Sequence, residues 1–345
     1  MMRNMDSWAR DVRTQTERQA MPIMTYPGLP LVGLNVMDIV TSGEQQARCI
    51  AALAGAYRSL AALTLMDLSV EAEAFGCPIQ YSADEVPTVT GAILHDLEQV
   101  EALPLPSPET GRTAAYLEAA RRAAALIENR PLFGGMIGPY SLAVRLRDMS
   151  QLMLDLMLQP ERVHALLEHV TRFLIAYARG FRAAGAHGLV IAEPAAGLLS
   201  PAHCDEFSSA YVRRIVAAVQ DEEFLVVLHN CGRTRELVPS LVSTGAGMLH
   251  FGNAVDMLDI LPQVPRDVLA AGNIDPSSVF RHGKPEQVRS ATLALLRRTA
   301  DYPNFVLSSG CDVPPGTPLQ NIDAFYGALD EFNGRRGEAT LADIG

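Results

Sequence analysis

Eight short apolar runs alternate with longer stretches of helical spacing along this chain. Each run ends near Gly, Pro, Asn or Asp, which favour turns at the ends of strands. Strict alternation of strand and helix predicts parallel strands with right-handed crossovers, and eight repeats is the number at which such a sheet closes. We therefore predict a (β/α)8 TIM barrel. The predicted strands lie near 22–28, 63–69, 132–139, 187–194, 223–232, 247–253, 268–275 and 304–312.

The chain divides into one main domain and two smaller features. Residues 1–20 are predicted to form an N-terminal helical extension, and residues 21–345 a single barrel domain. Within it, segment 76–112 is rich in Pro and polar residues and shows no crossover helix until its end. Long loops in compact domains are uncommon unless they are functional or disordered. We predict that this insertion covers the barrel mouth as a lid or docking surface.

Composition excludes several classes of protein. Hydrophobic residues make up 48% and charged residues 19% of the 345 residues, which is typical of a compact globular protein. The formal net charge is -11 and no basic cluster is present, so nucleic acid is not an expected partner. No apolar run reaches the roughly 18 residues of a membrane span, and residues 1–20 lack the apolar core that a signal peptide needs. We expect a cytoplasmic protein whose five cysteines are not a disulfide framework.

Soft metal ligands follow two of the predicted strands. His229 and Cys231 end the run FLVVLHNCGRT, and Cys311 ends FVLSSGCDVPP. Active sites of such barrels lie at the C-terminal ends of the strands. One imidazole and two thiolates suit Zn²⁺ and leave a fourth coordination position open. Buried Cys and a hydrogen-bonded core His are the alternative, because both are common without a metal.

Carboxylates at two other strand ends are candidate catalytic residues. Glu193 ends LVIAEP beside the predicted strand of His229, where it could be a displaceable fourth zinc ligand, a base, or an acid that starts a helix. Asp67 belongs to an acidic cluster with Glu71 and Glu73, of which one member is expected to face the pocket.

Amide, carboxylate and phenol side chains also lie at predicted strand ends. Asn273 and Asp275 in AGNIDP could hydrogen-bond a heterocycle, although Asn-x-Asp-Pro is also good turn chemistry. Asn253 and Tyr140 stand at two further strand ends, and all four residues are predicted to bind substrate. His250 either lines the pocket or is an ordinary core histidine.

Segments distributed over nearly the whole chain resemble a known family. They include PIMTYPG, MDLSVEAEAFG, IGPYSLA, LHNCGRT, HFGNAVDMLDI, GNIDPSSVF and SSGCDVPPGTPLQNIDAF. They are similar to the uroporphyrinogen decarboxylase superfamily, and specifically to its branch of zinc-dependent corrinoid methyltransferases. The resemblance implies a (β/α)8 barrel, and it places the family's zinc motif on His229, Cys231 and Cys311.

The resemblance also implies a reaction and its partners. A methyl group would pass from methylcob(III)alamin, carried by a partner corrinoid protein, to a small-molecule acceptor. The acceptor would be a thiol such as coenzyme M, or tetrahydrofolate, and the residues leave this choice open. The chain would be the second methyltransferase of a demethylation system, after a separate protein has loaded the corrinoid.

Two rival hypotheses are a lyase and a non-catalytic protein. A uroporphyrinogen decarboxylase-like lyase would use Asp67 or Glu193 as an acid without metal. Porphyrinogen decarboxylases carry an arginine-rich segment near the N-terminus that grips the substrate carboxylates, and here that region reads MTYPGLPLVG without arginine. In the non-catalytic hypothesis zinc is structural, but structural zinc usually has four protein ligands.

Overall fold

A parallel β-sheet with helices between its strands forms the core of this protein in a computed structural model that describes residues 3–342. The strands are β1 (Ala62–Leu63), β2 (Ile79–Gln80), β3 (Thr88–Val89), β4 (Leu132–Ile137), β5 (Gly188–Ala192), β6 (Leu225–Asn230), β7 (Met248–Phe251), β8 (Leu269–Ile274) and β9 (Phe305–Ser309).

Helices connect and flank these strands. They are α1 (Met5–Thr14), α2 (Leu29–Val32), α3 (Val36–Thr41), α4 (Gly43–Ala56), α5 (Val70–Ala74), α6 (Gly111–Leu126), α7 (Pro139–Arg147), α8 (Met149–Leu158), α9 (Pro160–Ala183), α10 (Pro201–Cys204), α11 (Ala210–Val219), α12 (Val238–Val242), α13 (Met257–Ile260), α14 (Pro285–Arg298) and α15 (Leu319–Ala342). Short 3-10 turns span Tyr26–Gly28, Leu97–Ala102, Pro194–Leu198, Arg235–Leu237 and Leu261–Gln263, and π-helical turns span Asp205–Ser209 and Pro276–Arg281. Among the described residues, none of these helices is both long enough and apolar enough to cross a membrane.

Seven strands form the main sheet in the order β1-β4-β5-β6-β7-β8-β9, and every pairing is parallel. The residues of β4, β5, β6, β7 and β9 are all buried, which explains why these runs are almost continuously apolar. Spatial order follows chain order, as expected when each crossover returns to the neighbouring position. Seven of the eight predicted strands are therefore in the sheet, and the sheet is curled rather than flat.

The predicted first strand at 22–28 is wrong. Its end is the 3-10 turn Tyr26–Gly28, and Ala20 makes only an isolated parallel bridge with Leu307. Pro22 and Pro27 interrupt the run, and proline has no N–H to donate to a ladder. The segment still lies between the two edge strands, because Met21 N donates to the Leu307 carbonyl over 2.9 Å and Leu60 N donates to the Ala20 carbonyl over 2.8 Å.

Side chains inside the curled sheet follow the two-residue period of strands. Leu225 and Val227 of β6, Met248 of β7 and Val306 of β9 belong to one buried cluster. Helix α1 adds Met5, Ala9 and Val12 to the same cluster. The helix therefore contributes apolar side chains to the inner core, in addition to those that the strands supply.

Segment 76–112 contains a small antiparallel hairpin, β2 with β3, and a 3-10 helix, before α6 begins at Gly111. Thr90 and Gly91 of this segment line a cavity of about 490 Å³ together with Ser141 and Arg145 of α7 and Pro194. Pro194 follows the C-terminal end of β5 by two residues. The segment thus borders the end of the sheet at which the predicted site residues lie.

Candidate metal centre

Strand register directs two histidines toward the interior of the sheet. His229 follows Leu225 and Val227 at intervals of two residues on β6, and His250 follows Met248 on β7. Because side chains alternate along a strand, both imidazoles continue the inner face. His229 and His250 are also partners in the β6–β7 register, and both are buried. The sheet therefore places two imidazoles side by side near its C-terminal end.

The three predicted metal ligands come together at this end. The ligand atoms of His229, Cys231 and Cys311 all lie within 4.8 Å of one another. Cys231 directly follows β6, and Cys311 lies two residues beyond β9, so the two thiols approach from different sides of the curled sheet. The curvature of the sheet brings together residues that are eighty positions apart in the chain.

The donor atoms of this cluster are ones that suit a soft cation. Among the described residues, Nε2 of His229 is buried without a hydrogen-bond partner. The hydrogen bond between the two sulfurs lowers the pKa of Cys231 and raises the pKa of Cys311, so the pair shares one proton. An orphaned imidazole nitrogen beside two such sulfurs fits Zn²⁺, whose protein ligands are unprotonated nitrogen and thiolate sulfur.

A mostly apolar cavity of about 90 Å³ adjoins the cluster. Oδ1 of Asp312 is buried there without a partner among the described residues, and burial raises the pKa of this carboxyl group. The cavity can exclude water from a group placed next to the sulfurs. Its lining residues are Ile23, Met66, Leu68, Ala192, Pro194, His229, Cys231, Cys311 and Asp312.

The loop that carries Cys231 is fixed by backbone contacts. Asn230 donates through Nδ2 to the Glu193 carbonyl over 2.8 Å and accepts from Gly232 N through Oδ1 over 2.9 Å. A Cβ on Gly252 would lie only 2.4 Å from the Cα of Cys231, closer than real Cβ contacts come. The absence of a side chain at position 252 is therefore a condition for this placement of the thiol.

Glu193 directly follows β5, the strand that pairs with the strand of His229, but its carboxyl group is hydrogen-bonded elsewhere. Its Oε1 accepts from Tyr140 N over 2.8 Å, and its Oε2 accepts from Ser141 N over 3.0 Å and Ser141 Oγ over 2.8 Å. The carboxyl group therefore sits at the N-terminus of α7, and burial raises its pKa to about 7. Its role as a fourth ligand or base stays a prediction, and such a role would require these hydrogen bonds to break.

Asp67 is held in a buried ion pair. Its Oδ2 accepts from the guanidinium of Arg112 and, over 3.0 Å, from the hydroxyl of Tyr116. Its Oδ1 accepts from the backbone and side chain of Ser69. Arg112 also pairs with Glu73. Asp67 is thus fully engaged through both oxygens, and its predicted catalytic role stays untested.

Glu71, the third member of the acidic cluster, is fully buried. Its Oε1 accepts from Ile137 N over 3.0 Å, whereas Oε2 has no partner among the described residues. Burial raises its pKa from 4.5 to about 8. The folded protein therefore holds a proton on this carboxyl group that the unfolded chain has released between these two pH values.

This proton predicts a measurable pH dependence of stability. Between pH 4.5 and about 8 the contribution of Glu71 to the free energy of unfolding falls as pH rises, by at most ~1.4 kcal/mol per pH unit. Glu71→Gln is expected to remove this slope, so its stability relative to the wild type should rise from pH 5 to pH 8. Urea titrations at several pH values measure it, with Glu118→Gln, a half-exposed glutamate, as control. Parallel profiles for the wild type and Glu71→Gln would contradict the assignment.

All four predicted substrate-binding residues are already hydrogen-bonded, and three of them lie close together near the C-terminal ends of β7 and β8. Asn253 donates to Asp275 over 3.0 Å, and Asp275 also caps the turn that follows β8 by accepting from Ser277 N and Ser278 N. Asn273 donates to the carbonyls of Gly252 and Val255. The Tyr140 hydroxyl donates to the Met153 sulfur over 3.2 Å. The cavity beside the cysteines is lined by other residues, and substrate binding by these four stays a prediction.

Other polar groups near the candidate centre escaped prediction as site residues. Arg112 lies in a helix far along the chain from Asp67, and no sequence spacing signals the pairing. Asp312 is adjacent to Cys311, so its place near the cluster could be predicted from the sequence, but its unpaired Oδ1 could not. Ser308 could have been found from the period of two, because it follows an inward-facing residue of its strand. The same period would have placed His250, which the sequence left open between the pocket and the core, on the inner face.

Comparison with known proteins identifies the family. A family model described as Uroporphyrinogen decarboxylase (URO-D) matches residues 16–332. Methylcobamide:CoM methyltransferase MtbA of Methanosarcina acetivorans is 29% identical over 260 residues, which are 74% of this chain and 75% of that protein. Uroporphyrinogen decarboxylase of Azotobacter vinelandii is 28% identical over 285 residues, 79% of each chain.

The fold of this chain also matches a solved structure. A methyltransferase from Methanosarcina mazei superimposes with a TM-score of 0.84 at 23% identity, over 96% of this chain and 99% of that one. The family match extends over most of the chain, in agreement with the resemblance seen in its motifs, and the chain therefore belongs to the uroporphyrinogen decarboxylase family.

Proposed function

We propose that this protein is a zinc-dependent methyltransferase that moves a methyl group from a methylcob(III)alamin corrinoid protein to a thiol acceptor such as coenzyme M. The observation that carries the proposal is the cluster of His229, Cys231 and Cys311 with its orphaned Nε2. The name of the Methanosarcina acetivorans relative, a methylcobamide:CoM methyltransferase, supports the same reaction.

The three ligands would hold the ion and leave one coordination position for the acceptor. A bound Zn²⁺ would lower the pKa of a thiol placed there, so that a thiolate forms near neutral pH. The chain contributes two further conditions. Met66 and Leu68 line the adjoining cavity and would shield this position from water, and the two cysteines would supply negative charge that keeps an incoming sulfur nucleophilic.

The methyl transfer itself is a displacement at carbon. The acceptor sulfur attacks the methyl carbon while the cobalt–carbon bond breaks, and the bonding electron pair leaves with cobalt as cobalt(I). The thiol proton is released to solvent. A thiol is favoured over tetrahydrofolate because the donor set is soft and the adjoining cavity is small and largely apolar. Tetrahydrofolate, which would accept the methyl group on a ring nitrogen, is the second acceptor to test.

The corrinoid protein is proposed to dock over the end of the sheet that carries the cluster. The cavity of about 490 Å³ bordered by segment 76–112 shares Pro194 with the smaller cavity beside the cysteines. A cobalamin presented there would lie next to the acceptor position. Shortening segment 76–112 is expected to impair turnover with the corrinoid protein more than turnover with free methylcobalamin.

Barrel closure is part of this proposal. The hydrogen bonds of residues 19–21 to Leu307 on one side and to Leu60 on the other support an arrangement in which this segment occupies the place of an eighth strand. The sheet would then form a closed (β/α)8 barrel with the three ligands around one mouth. Cys311 can reach Cys231, which follows β6, across such a mouth.

A decarboxylase of the uroporphyrinogen type is the second candidate, because the Azotobacter vinelandii relative carries that name. Two features oppose it. Residues 21–34 contain no arginine to bind substrate carboxylates, and decarboxylation makes no use of a soft-ligand cluster.

The deciding experiment is anaerobic demethylation of methylcobalamin followed by its absorbance. We expect methylcob(III)alamin to convert to cob(I)alamin with zinc-loaded protein and coenzyme M, and not after zinc removal by a chelator. Parallel reactions with tetrahydrofolate and without acceptor identify the acceptor. Demethylation that is equally fast in chelated and zinc-loaded protein would refute the role of the cluster.

A further inference from the structure

A chain of hydrogen bonds leads from the metal cluster into the interior of the sheet. Nδ1 of His229 lies 2.8 Å from Nδ1 of His250, and Nε2 of His250 lies 2.8 Å from Oγ of Ser308. The Ser308 hydroxyl also lies 2.7 Å from the backbone carbonyl of Met21. All four residues are buried, so solvent does not compete for these contacts.

The hydrogen bond between Ser308 and Met21 determines which atom donates in each of the other hydrogen bonds of this series. A backbone carbonyl only accepts, so the single hydrogen of Ser308 points at Met21. The Ser308 oxygen must then accept from Nε2–H of His250. A neutral imidazole carries one proton, so Nδ1 of His250 is an acceptor and Nδ1 of His229 is the donor.

This order leaves Nε2 of His229 without a proton. That nitrogen is the same atom that is buried without a hydrogen-bond partner beside Cys231 and Cys311. An unprotonated ring nitrogen is the form of histidine that binds a metal ion, and a ligating histidine commonly donates its other N–H to a neighbouring group. Here that neighbour is another histidine.

Small residues on the neighbouring strands provide the space for the pair. Ala192 of β5 is the register partner of His229, and Ala271 of β8 is the register partner of His250. Both alanines belong to the inner cluster of the sheet. Two imidazoles can therefore lie across adjacent strands without crowding from either side.

We propose that His250, anchored by Ser308, is a positioning residue that selects the His229 tautomer with a metal-binding Nε2. The functional role of this tautomer rests on the proposed zinc site, but the tautomer itself is a property of the protein without metal. His250 contacts neither substrate nor metal in this scheme and acts through His229.

The first test measures the tautomer directly in the full-length wild type. Nitrogen-15 NMR of histidine side chains distinguishes Nδ1–H from Nε2–H, and we expect His229 to carry its proton on Nδ1 in both the metal-free and the zinc-loaded protein. Assignment uses loss of the signal in His229→Asn. A His229 signal from Nε2–H in the metal-free protein would overturn the proposal, whatever the outcome of the methyl-transfer assay.

The second test measures zinc affinity by competition with a chromophoric chelator. His250→Leu removes the acceptor and is expected to weaken zinc binding by about 10–100-fold. His250→Gln offers both a carbonyl for His229 and an amide N–H for Ser308, and should retain affinity within a few-fold. Equal affinities for the wild type and a folded His250→Leu would contradict the proposal.

Two controls separate this role from general core packing and from the proposed function. Ser308→Ala keeps both histidines and should weaken zinc binding several-fold. It therefore tests the series of hydrogen bonds even if His250→Leu fails to fold. An unchanged zinc affinity in Ser308→Ala would count against the proposal. Ala271→Gly perturbs the same layer without touching a hydrogen bond and should leave zinc affinity unaltered. If the wild type itself binds no zinc, the proposed function fails, while the NMR result still decides the tautomer.

Discussion

Replacing Cys311 with serine is expected to leave the protein folded but to lower both its zinc content and its rate of methyl transfer by at least roughly 100-fold. The sulfur of Cys311 is one of three donor atoms that lie within 4.8 Å of one another. A hydroxyl is a harder and far less acidic donor than a thiol, so the variant cannot supply the second thiolate. Metal analysis and the demethylation assay measure the two effects on the same preparation.

The matched control is Cys204→Ser. Cys204 is buried, and its sulfur lies 3.8 Å from the hydroxyl of Ser209, outside the cluster, where a serine can form the same contact. We expect normal zinc content and a normal rate for this variant. Cys231→Ser should reproduce the loss seen with Cys311→Ser. Retention of activity in Cys311→Ser with substoichiometric zinc would instead favour the metal-free lyase hypothesis.

Much of the fold was predictable because strand burial is visible in the sequence. Runs such as those of β5, β6 and β9 are almost continuously apolar and end near turn residues, so their number and order could be predicted directly. The failure at 22–28 has a local cause. Apolar composition there indicates burial, but Pro22 and Pro27 prevent a regular ladder, and the segment contacts its neighbours through only a few hydrogen bonds.

The ligand cluster was predictable from the sequence, whereas the contacts of the carboxylates around it were not. His229, Cys231 and Cys311 stand at strand ends, and strand ends of a parallel curled sheet converge at one edge. The engagement of Glu193 and Asp67 could not be predicted, because it depends on which helix packs beside each carboxylate. Glu193 contacts the N-terminus of α7, and Asp67 pairs with an arginine at the end of a long insertion.

Arg112→Met is expected to reduce the free energy of unfolding by about 3–5 kcal/mol, because it removes one member of a buried ion pair and leaves the Asp67 carboxylate unpaired. The side chain of Arg112 is 8% exposed and that of Asp67 is 0% exposed, so water cannot replace the lost partner. Equilibrium unfolding in urea measures the change. A loss below about 1 kcal/mol would show that the pair is dispensable.

The control is Arg122→Met on the same helix, whose ion pair with Glu118 is about half exposed and should contribute less than about 1 kcal/mol. The double variant Asp67→Leu with Arg112→Met then separates a structural from a catalytic role for Asp67. Removing both charges together should recover much of the stability, since no unpaired charge remains in the interior. If Asp67 only anchors Arg112, methyl transfer per folded molecule will recover as well; if Asp67 takes part in the reaction, stability will return without activity.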